Sequence, residues 1–288
     1  MLQGEQALSP SNPPRPRIGI VGTGAMGRPV VDRLLSANYE VAAYVRRKEA
    51  QRPLSALGVQ LVPDVPALGS RSEIVILYPY SDEQVRQLAL DDGLIASMAT
   101  GSTVVIHTTG SPETAVDIAA AAGAGGVSVL DAPGSGGPAQ VASGQLVLFV
   151  GGSNEVVDRA RPVLSCYAAQ IEHFGDVGSG QRVKLINNLL FGAHTELAIE
   201  AARLAGELGI DPVKMASTLH KCSGSSSALD LVAFMGSAEA LLNGAGWTIY
   251  KDIRYALDLL RDIGAPLGSF QGVVDSVLAR TEPLRRDT

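Results

Sequence analysis

Arg17-Ile18-Gly19-Ile20-Val21-Gly22-Thr23-Gly24-Ala25-Met26-Gly27 is the stretch that decides the fold of this 288-residue chain. A short β-rich run leads into Gly-x-Gly-x-x-Gly, and apolar residues then recur at helical spacing through Val30, Val31, Leu34 and Leu35. Strand, glycine turn and helix in that order make a dinucleotide-binding fingerprint at the head of a βαβ unit. The glycines permit a tight turn and let backbone N–H groups approach a pyrophosphate at the positive end of the helix. Gly22, Thr23, Gly24, Ala25, Met26 and Gly27 are therefore the first expected cofactor contacts.

Working outward, short apolar runs alternate with helical stretches from Arg17 to about Val177. Strands are expected at Ile18–Val21, Glu40–Val45, Ile74–Tyr78, Thr103–His107, Val127–Leu130, Leu146–Val150 and Ile171–Phe174. Helices fit Ala25–Ala37, Lys48–Leu57, Asp82–Leu90, Pro112–Ala122 and Asn154–Tyr167. Such alternation implies an α/β fold with a mostly parallel, doubly wound Rossmann sheet. The last two strands follow the loop-rich Asp131–Gly144 segment, which leaves their direction open and allows them to extend the sheet as an antiparallel edge. Beyond Gly178 no strand pattern remains. A long apolar helix is expected from Gln181 to about Leu208, and Asp211-Pro212 supplies a cap and a first-position proline for the next one. The expected organisation is a disordered, proline-rich tail over 1–16, a dinucleotide-binding domain over 17–177, and an all-α domain over 178–288 that begins with the linking helix.

Bulk properties exclude several classes. With 46% hydrophobic and 18% charged residues the chain can bury a large core. A net charge of −6 without a basic stripe argues against nucleic acid. No apolar run reaches the roughly 18 residues needed to span a bilayer, and no signal peptide is recognisable. Cys166 and Cys222 form neither a disulfide framework nor a metal-ligand spacing, so no metal is expected. These features point to a cytoplasmic protein with no membrane partner.

The chemistry concentrates in four places. Gly178-Ser179-Gly180-Gln181-Arg182-Val183-Lys184-Leu185-Ile186-Asn187-Asn188 carries a lysine and an asparagine four residues apart. Four residues turn a helix by about 400°, so Lys184 and Asn188 project from nearly one face. One can donate a proton and the other can hold an oxygen. Asp131-Ala132-Pro133-Gly134-Ser135-Gly136-Gly137 follows an apolar strand, and its Ser-Gly-Gly turn offers a hydroxyl and successive N–H groups to a carboxylate. Thr108-Thr109 follows another strand and suits a hydroxyl near a nicotinamide ring. Tyr250-Lys251-Asp252-Ile253 lies in the helical part, placed to cap a cofactor from the other side. The strand over Glu40–Val45 ends in Arg46-Arg47-Lys48 rather than a carboxylate. Guanidinium groups there suit a 2′-phosphate, so NADP(H) is the expected cofactor, with NAD(H) as the lesser alternative. His107 is kept as a supporting candidate at a strand end; His173, His194 and His220 form no site.

Together these segments resemble the β-hydroxyacid dehydrogenase family, which includes 3-hydroxyisobutyrate dehydrogenase, tartronate semialdehyde reductase and glyoxylate/succinic semialdehyde reductases. The resemblance covers residues 17 to about 257. It implies Lys184 as catalytic acid/base, Asn188 as a substrate contact, and Ser135, Gly136 and Gly137 as the seat of the substrate's acid group. It implies cofactor contacts from Thr109 and Lys251; Tyr78 and Pro79, at the end of the Ile74–Tyr78 strand, are further expected cofactor contacts. It also implies a small carboxylate substrate and a homodimer or tetramer. Gly134 stands where the family usually has valine, Ile106 where it usually has aspartate, and Trp247 where a phenylalanine tends to fall slightly earlier. The rival readings are an imine reductase of the same architecture, which usually carries Asp or Tyr at the position of Lys184, and a non-catalytic NADPH-binding module.

Overall fold

The computed structural model describes residues 15–284. Of the tail expected over 1–16, residues 1–14 lie outside them. The chain runs β1 (Ile18–Val21), α1 (Gly27–Ser36), β2 (Val41–Tyr44), α2 (Lys48–Ser55), β3 (Gln60–Val62), α3 (Val65–Gly69), β4 (Ile74–Leu77), α4 (Asp82–Arg86), α5 (Leu94–Ser97), β5 (Thr103–Ile106), α6 (Pro112–Gly123) and β6 (Ser128–Asp131). These six strands form one parallel sheet in the order β3-β2-β1-β4-β5-β6. β1, β4 and β5 are buried along their whole length because helices cover both faces, which is why they read as unbroken apolar runs. One face packs Ile18, Ile20, Val30 and Leu34 with Tyr167; the other packs Leu68, Val75, Val85, Val104 and Ile118. The strand order reverses between β1 and β4, and a crevice opens there at the carboxyl ends of the strands.

Three short elements of this sheet unit, β3, α3 and α5, are not expected from sequence. Gln60-Leu61-Val62 is too short to show alternation, yet it pairs with β2. The one-turn α3 is held by Asp64, whose carboxylate accepts from the Ala67 N–H at 2.7 Å. α1 begins at Gly27, two residues after the expected Ala25, and the chain leaves α4 at Arg86 for a wider helical turn over Gln87–Asp91.

After β6 the antiparallel direction holds, but the strands form a sheet of their own instead of extending the first. β7 (Gly134–Ser135), β8 (Leu146–Val150) and β9 (Ala168–His173) form a separate sheet, with α7 (Pro138–Ala142) and α8 (Asn154–Leu164) between them. The end of β8 is joined to the end of β6 by an antiparallel bridge between Asp131 and Gly151. β9 lies parallel to β8 because α8 is a crossover between them, and a crossover returns the chain in the same direction.

The remainder is helical: α9 (Ser179–Glu207), α10 (Pro212–Leu219), α11 (Ser227–Met235), α12 (Ala238–Asp262) and α13 (Gln271–Thr281). α9 starts two residues ahead of the expected Gln181. Its first turn is capped from the sheet, since buried Asp131 accepts from Gly178 N–H and Gln181 N–H, both at 2.7 Å. α9 and α12 pack through Leu185, Leu189, Ile249 and Ile253. A side chain on Gly192 would meet Ile253 Cδ1 at 2.6 Å, so this glycine permits the close approach. No helix among the described residues is long and apolar enough to cross a membrane.

Candidate active site

The glycine turn after β1 is built for an anionic ligand. Gly22 has φ +96°, and a side chain there would lie 2.1 Å from the Tyr78 carbonyl oxygen. Gly27 abuts the Gly22 carbonyl, so a side chain would separate helix from strand. Gly24 faces open space, with nothing within 4 Å of an added Cβ. No side chain caps α1 and no acid sits in its first turn, which leaves its leading N–H groups for a phosphate.

This turn opens onto a cleft of about 710 Å³ between the strand ends and the faces of α9 and α12. Every expected cofactor residue lines it: Gly22 to Gly27, Arg46, Arg47, Tyr78, Pro79, Thr109 and Lys251. Lys184 and Gly136 line it too. Ser135, Gly137 and Asn188 do not. Asn188 is buried behind the wall, and the Gly137 N–H is already taken by Gln140 Oε1 at 2.9 Å. Of the expected acid seat, Gly136 faces the cleft, while the Ser135 hydroxyl has no partner among the described residues.

Lys184 sits half-buried with Nζ donating to the Gly134 carbonyl at 2.7 Å. Burial pulls its pKa below that of an ordinary lysine; Asp252 pulls it up and Lys251 pushes it down. Asp252 organises this corner. Its Oδ1 lies 2.8 Å from Lys251 Nζ, and its Oδ2 accepts from Asn188 Nδ2 at 2.7 Å. The Lys251 ammonium also donates to the Thr109 carbonyl at 3.1 Å and lies over the Tyr255 ring. The helical spacing of Lys184 and Asn188 thus delivers a lysine to the cleft and an amide to Asp252 in the cleft wall. Sequence reasoning singled out Lys251-Asp252 but gave Asp252 no role, because burial at 7% and a bond across 64 residues leave no local signal.

His107 lies in the floor of the cleft, fully buried. Its Nδ1 is 2.6 Å from the Ala132 carbonyl and its Nε2 is 2.9 Å from the Tyr167 hydroxyl. Burial pushes its pKa down to about 4, so near neutral pH it is an uncharged ring that joins β5 to the start of the Ala132–Gly134 loop. A smaller chamber of about 370 Å³ adjoins the cleft past Arg46, walled by Tyr44, Val65, Pro66, Gln87 and Leu88. Arg46 and Arg47 are exposed at the end of β2 and make no ion pair among the described residues.

Comparison with known proteins agrees with this geometry. Residues 17–175 match the family described as the NAD binding domain of 6-phosphogluconate dehydrogenase. Residues 178–282 match the NAD-binding family of NADP-dependent 3-hydroxyisobutyrate dehydrogenase. The 3-hydroxyisobutyrate dehydrogenase of Pseudomonas aeruginosa is 36% identical over 215 residues, 74% of this chain and 72% of that protein. The chain belongs to the β-hydroxyacid dehydrogenase family. As a member it is an NAD(P)-dependent oxidoreductase. The 3-hydroxyisobutyrate dehydrogenase of Mycobacterium tuberculosis, solved with L-serine, superposes with a TM-score of 0.79 at 25% identity, covering 94% of this chain and 99% of that one. Psf3, solved with NADP+ and 2-OPP, superposes with a TM-score of 0.81 at 27% identity, covering 92% and 93%.

Proposed function

We propose that this β-hydroxyacid dehydrogenase interconverts a small β-hydroxy acid and its semialdehyde or keto partner with NADP(H), using Lys184 as the general acid/base. The observation that carries the reading is a half-buried lysine whose pKa is lowered by burial, in the same cleft as an open glycine turn. The turn over 22–27 would hold the pyrophosphate, with Tyr78, Pro79, Thr109 and Lys251 along the remainder. When bound, the nicotinamide supplies or accepts the hydride. In the reducing direction the Lys184 ammonium gives its proton to the developing alkoxide; in the oxidising direction the neutral amine takes the hydroxyl proton. Asn188 is read as holding the reacting oxygen once freed from Asp252, and Ser135 with Gly136 as seating the carboxylate. The division into a dinucleotide-binding unit over 17–177 and a helical unit from 178 follows the change of secondary structure.

The test of the substrate class is an aldehyde acid assayed beside its methyl ester. A hydrogen bond to a charged group contributes about 1.5–3 kcal/mol, so the ester is expected to lose roughly 10–100-fold in kcat/KM. Equal values for acid and ester would remove the acid seat.

Cofactor preference rests on Arg46. A guanidinium at the end of β2 with no competing ion pair suits a 2′-phosphate, and the nearby Asp64 carboxylate is engaged in capping α3. Arg46→Ala is expected to lower kcat/KM for NADPH by roughly 10–100-fold and to leave that for NADH nearly unchanged. A parent enzyme that uses NADH as well as NADPH would refute the preference.

The proposal extends to a homodimer. Ile186, Leu190, Leu197, Leu204 and Leu208 recur along one face of α9 and its end, each 43–74% exposed. An apolar stripe of that length on a soluble protein suits a second copy of the same helix. Leu197→Glu paired with Leu204→Glu is expected to give a monomer by light scattering, since charge on an exposed stripe costs an isolated fold little. An unchanged mass would exclude this face.

A further inference from the structure

We infer that Gln181 is a positioning residue for hydride transfer: its amide locks the cofactor-side loop Thr108–Gly110 to the helix that carries Lys184. The inference rests on the reading of Lys184 as acid/base and adds a residue to which that reading gives no part.

Gln181 sits in the first turn of α9, one turn before Lys184, and is 1% exposed. Its side chain does not serve its own helix. Nε2 donates to the Thr108 carbonyl at 2.8 Å, and Oε1 accepts from the Gly110 N–H at 3.1 Å. Those groups stand immediately before and after Thr109, which lines the cleft. An amide carries one donor face and one acceptor face, so it matches this pair as a neighbouring strand would. Sheet pairing of β5 has ended at Ile106, so no strand is there to do it. The intervening Thr109 carbonyl is taken by Lys251 of α12. Three consecutive residues after β5 are thus held by side chains from α9 and α12, the two helices that also bear Lys184, Asn188 and Asp252.

The helix end is fixed in its turn. Asp131 at the end of β6 accepts from the Gln181 N–H, so the backbone of this residue is tied to one strand end and its side chain to the next. Gly180 allows the approach, since a side chain there would lie 2.3 Å from the Phe149 carbonyl oxygen. Gln181 therefore sets how far the loop beside the nicotinamide stands from the lysine that serves the substrate oxygen. Hydride and proton must reach the same carbonyl group, so an error in that spacing slows chemistry without weakening cofactor binding. A misplacement of ~1 Å can cost on the order of 100-fold in rate.

The experiment compares Gln181→Leu and Gln181→Glu with the parent and with Lys184→Ala, each checked for native Tm and circular dichroism. Gln181→Leu is expected to lose about 100-fold in kcat with the Kd for NADPH within about threefold of the parent. The primary isotope effect with NADPH deuterated at the transferred position should rise, because the transfer itself has become slow. A loss that was only structural would weaken NADPH binding or Tm and leave the isotope effect alone; that result, or turnover within twofold of the parent, overturns the inference. Gln181→Glu keeps the acceptor for Gly110 but can donate to the Thr108 carbonyl only as the neutral acid. Its activity relative to the parent should climb as pH falls, while the ratio for Gln181→Leu stays flat. A glutamate variant that follows the leucine variant at every pH also overturns the inference. Lys184→Ala separates the two readings: retained turnover there removes the acid/base reading and this inference with it, whereas an inactive Lys184→Ala beside a fully active Gln181→Leu removes this inference alone.

Discussion

Lys184→Ala is expected to bind NADPH as the parent does and to lose roughly 10²–10⁴-fold in turnover, the usual contribution of a positioned proton donor. Binding should survive because the glycine turn, Arg46 and Tyr78 lie on the sheet side of the cleft, away from α9. The loss should fall on kcat, since the proton is needed only as the alkoxide develops. Fluorescence titration of NADPH and steady-state kinetics with a semialdehyde acid measure the two separately. Turnover within a few-fold of the parent would make Lys184 a bystander. Loss of NADPH affinity in step with kcat would place the lysine on the cofactor.

Asp252→Asn is expected to move the pH dependence of the reaction. Burial lowers the Lys184 pKa, Asp252 raises it and Lys251 lowers it, so removing the carboxylate charge lowers it further. Reduction needs the ammonium, which is present below that pKa; its high-pH limb should therefore shift to lower pH. Oxidation needs the neutral amine, so its low-pH limb should shift the same way, and oxidation should gain at acidic pH relative to the parent. Limbs that stay in place in both directions would separate Asp252 from Lys184. Asp252→Ala should also destabilise the fold. It leaves Lys251, only 12% exposed, without its partner and frees the buried Asn188 amide. Breaking a buried pair from one side costs about 3–5 kcal/mol, which denaturant unfolding would register. A cost within ~0.5 kcal/mol, the range of surface substitutions, would mean that the pair is solvated in solution.

What could be read from the chain alone was whatever physical chemistry encodes within a few residues. The Gly22–Gly27 turn is legible because each glycine answers a local steric demand: a positive φ at Gly22, a helix against a strand at Gly27, open space at Gly24. The apolar runs of β1, β4 and β5 show in sequence because strands covered on both faces need no alternation. The four-residue spacing of Lys184 and Asn188 follows from helix pitch. Those local rules were enough to place the sheet, the helical part, the glycine turn and the lysine, whereas Ser135, Gly137 and Asn188 fall outside the cleft lining.

Tertiary structure decided what depends on residues far apart in the chain. β3 and α3 carry too few residues for a pattern; pairing with β2 and the Asp64 cap hold them in place. β9 lies parallel to β8 because α8 crosses between them, a matter of chain path and not of composition. Helix pitch puts Asn188 on the face of Lys184, and the fold gives its amide a carboxylate 64 positions later. Asp252 reaches Asn188, and Gln181 grips a loop more than 70 residues earlier, through contacts that no window of sequence contains. A spacing along one helix states which side chains share a face. Only the folded chain states what that face meets, because burial, desolvation and the partner of each polar group are set by elements that arrive from elsewhere in the sequence.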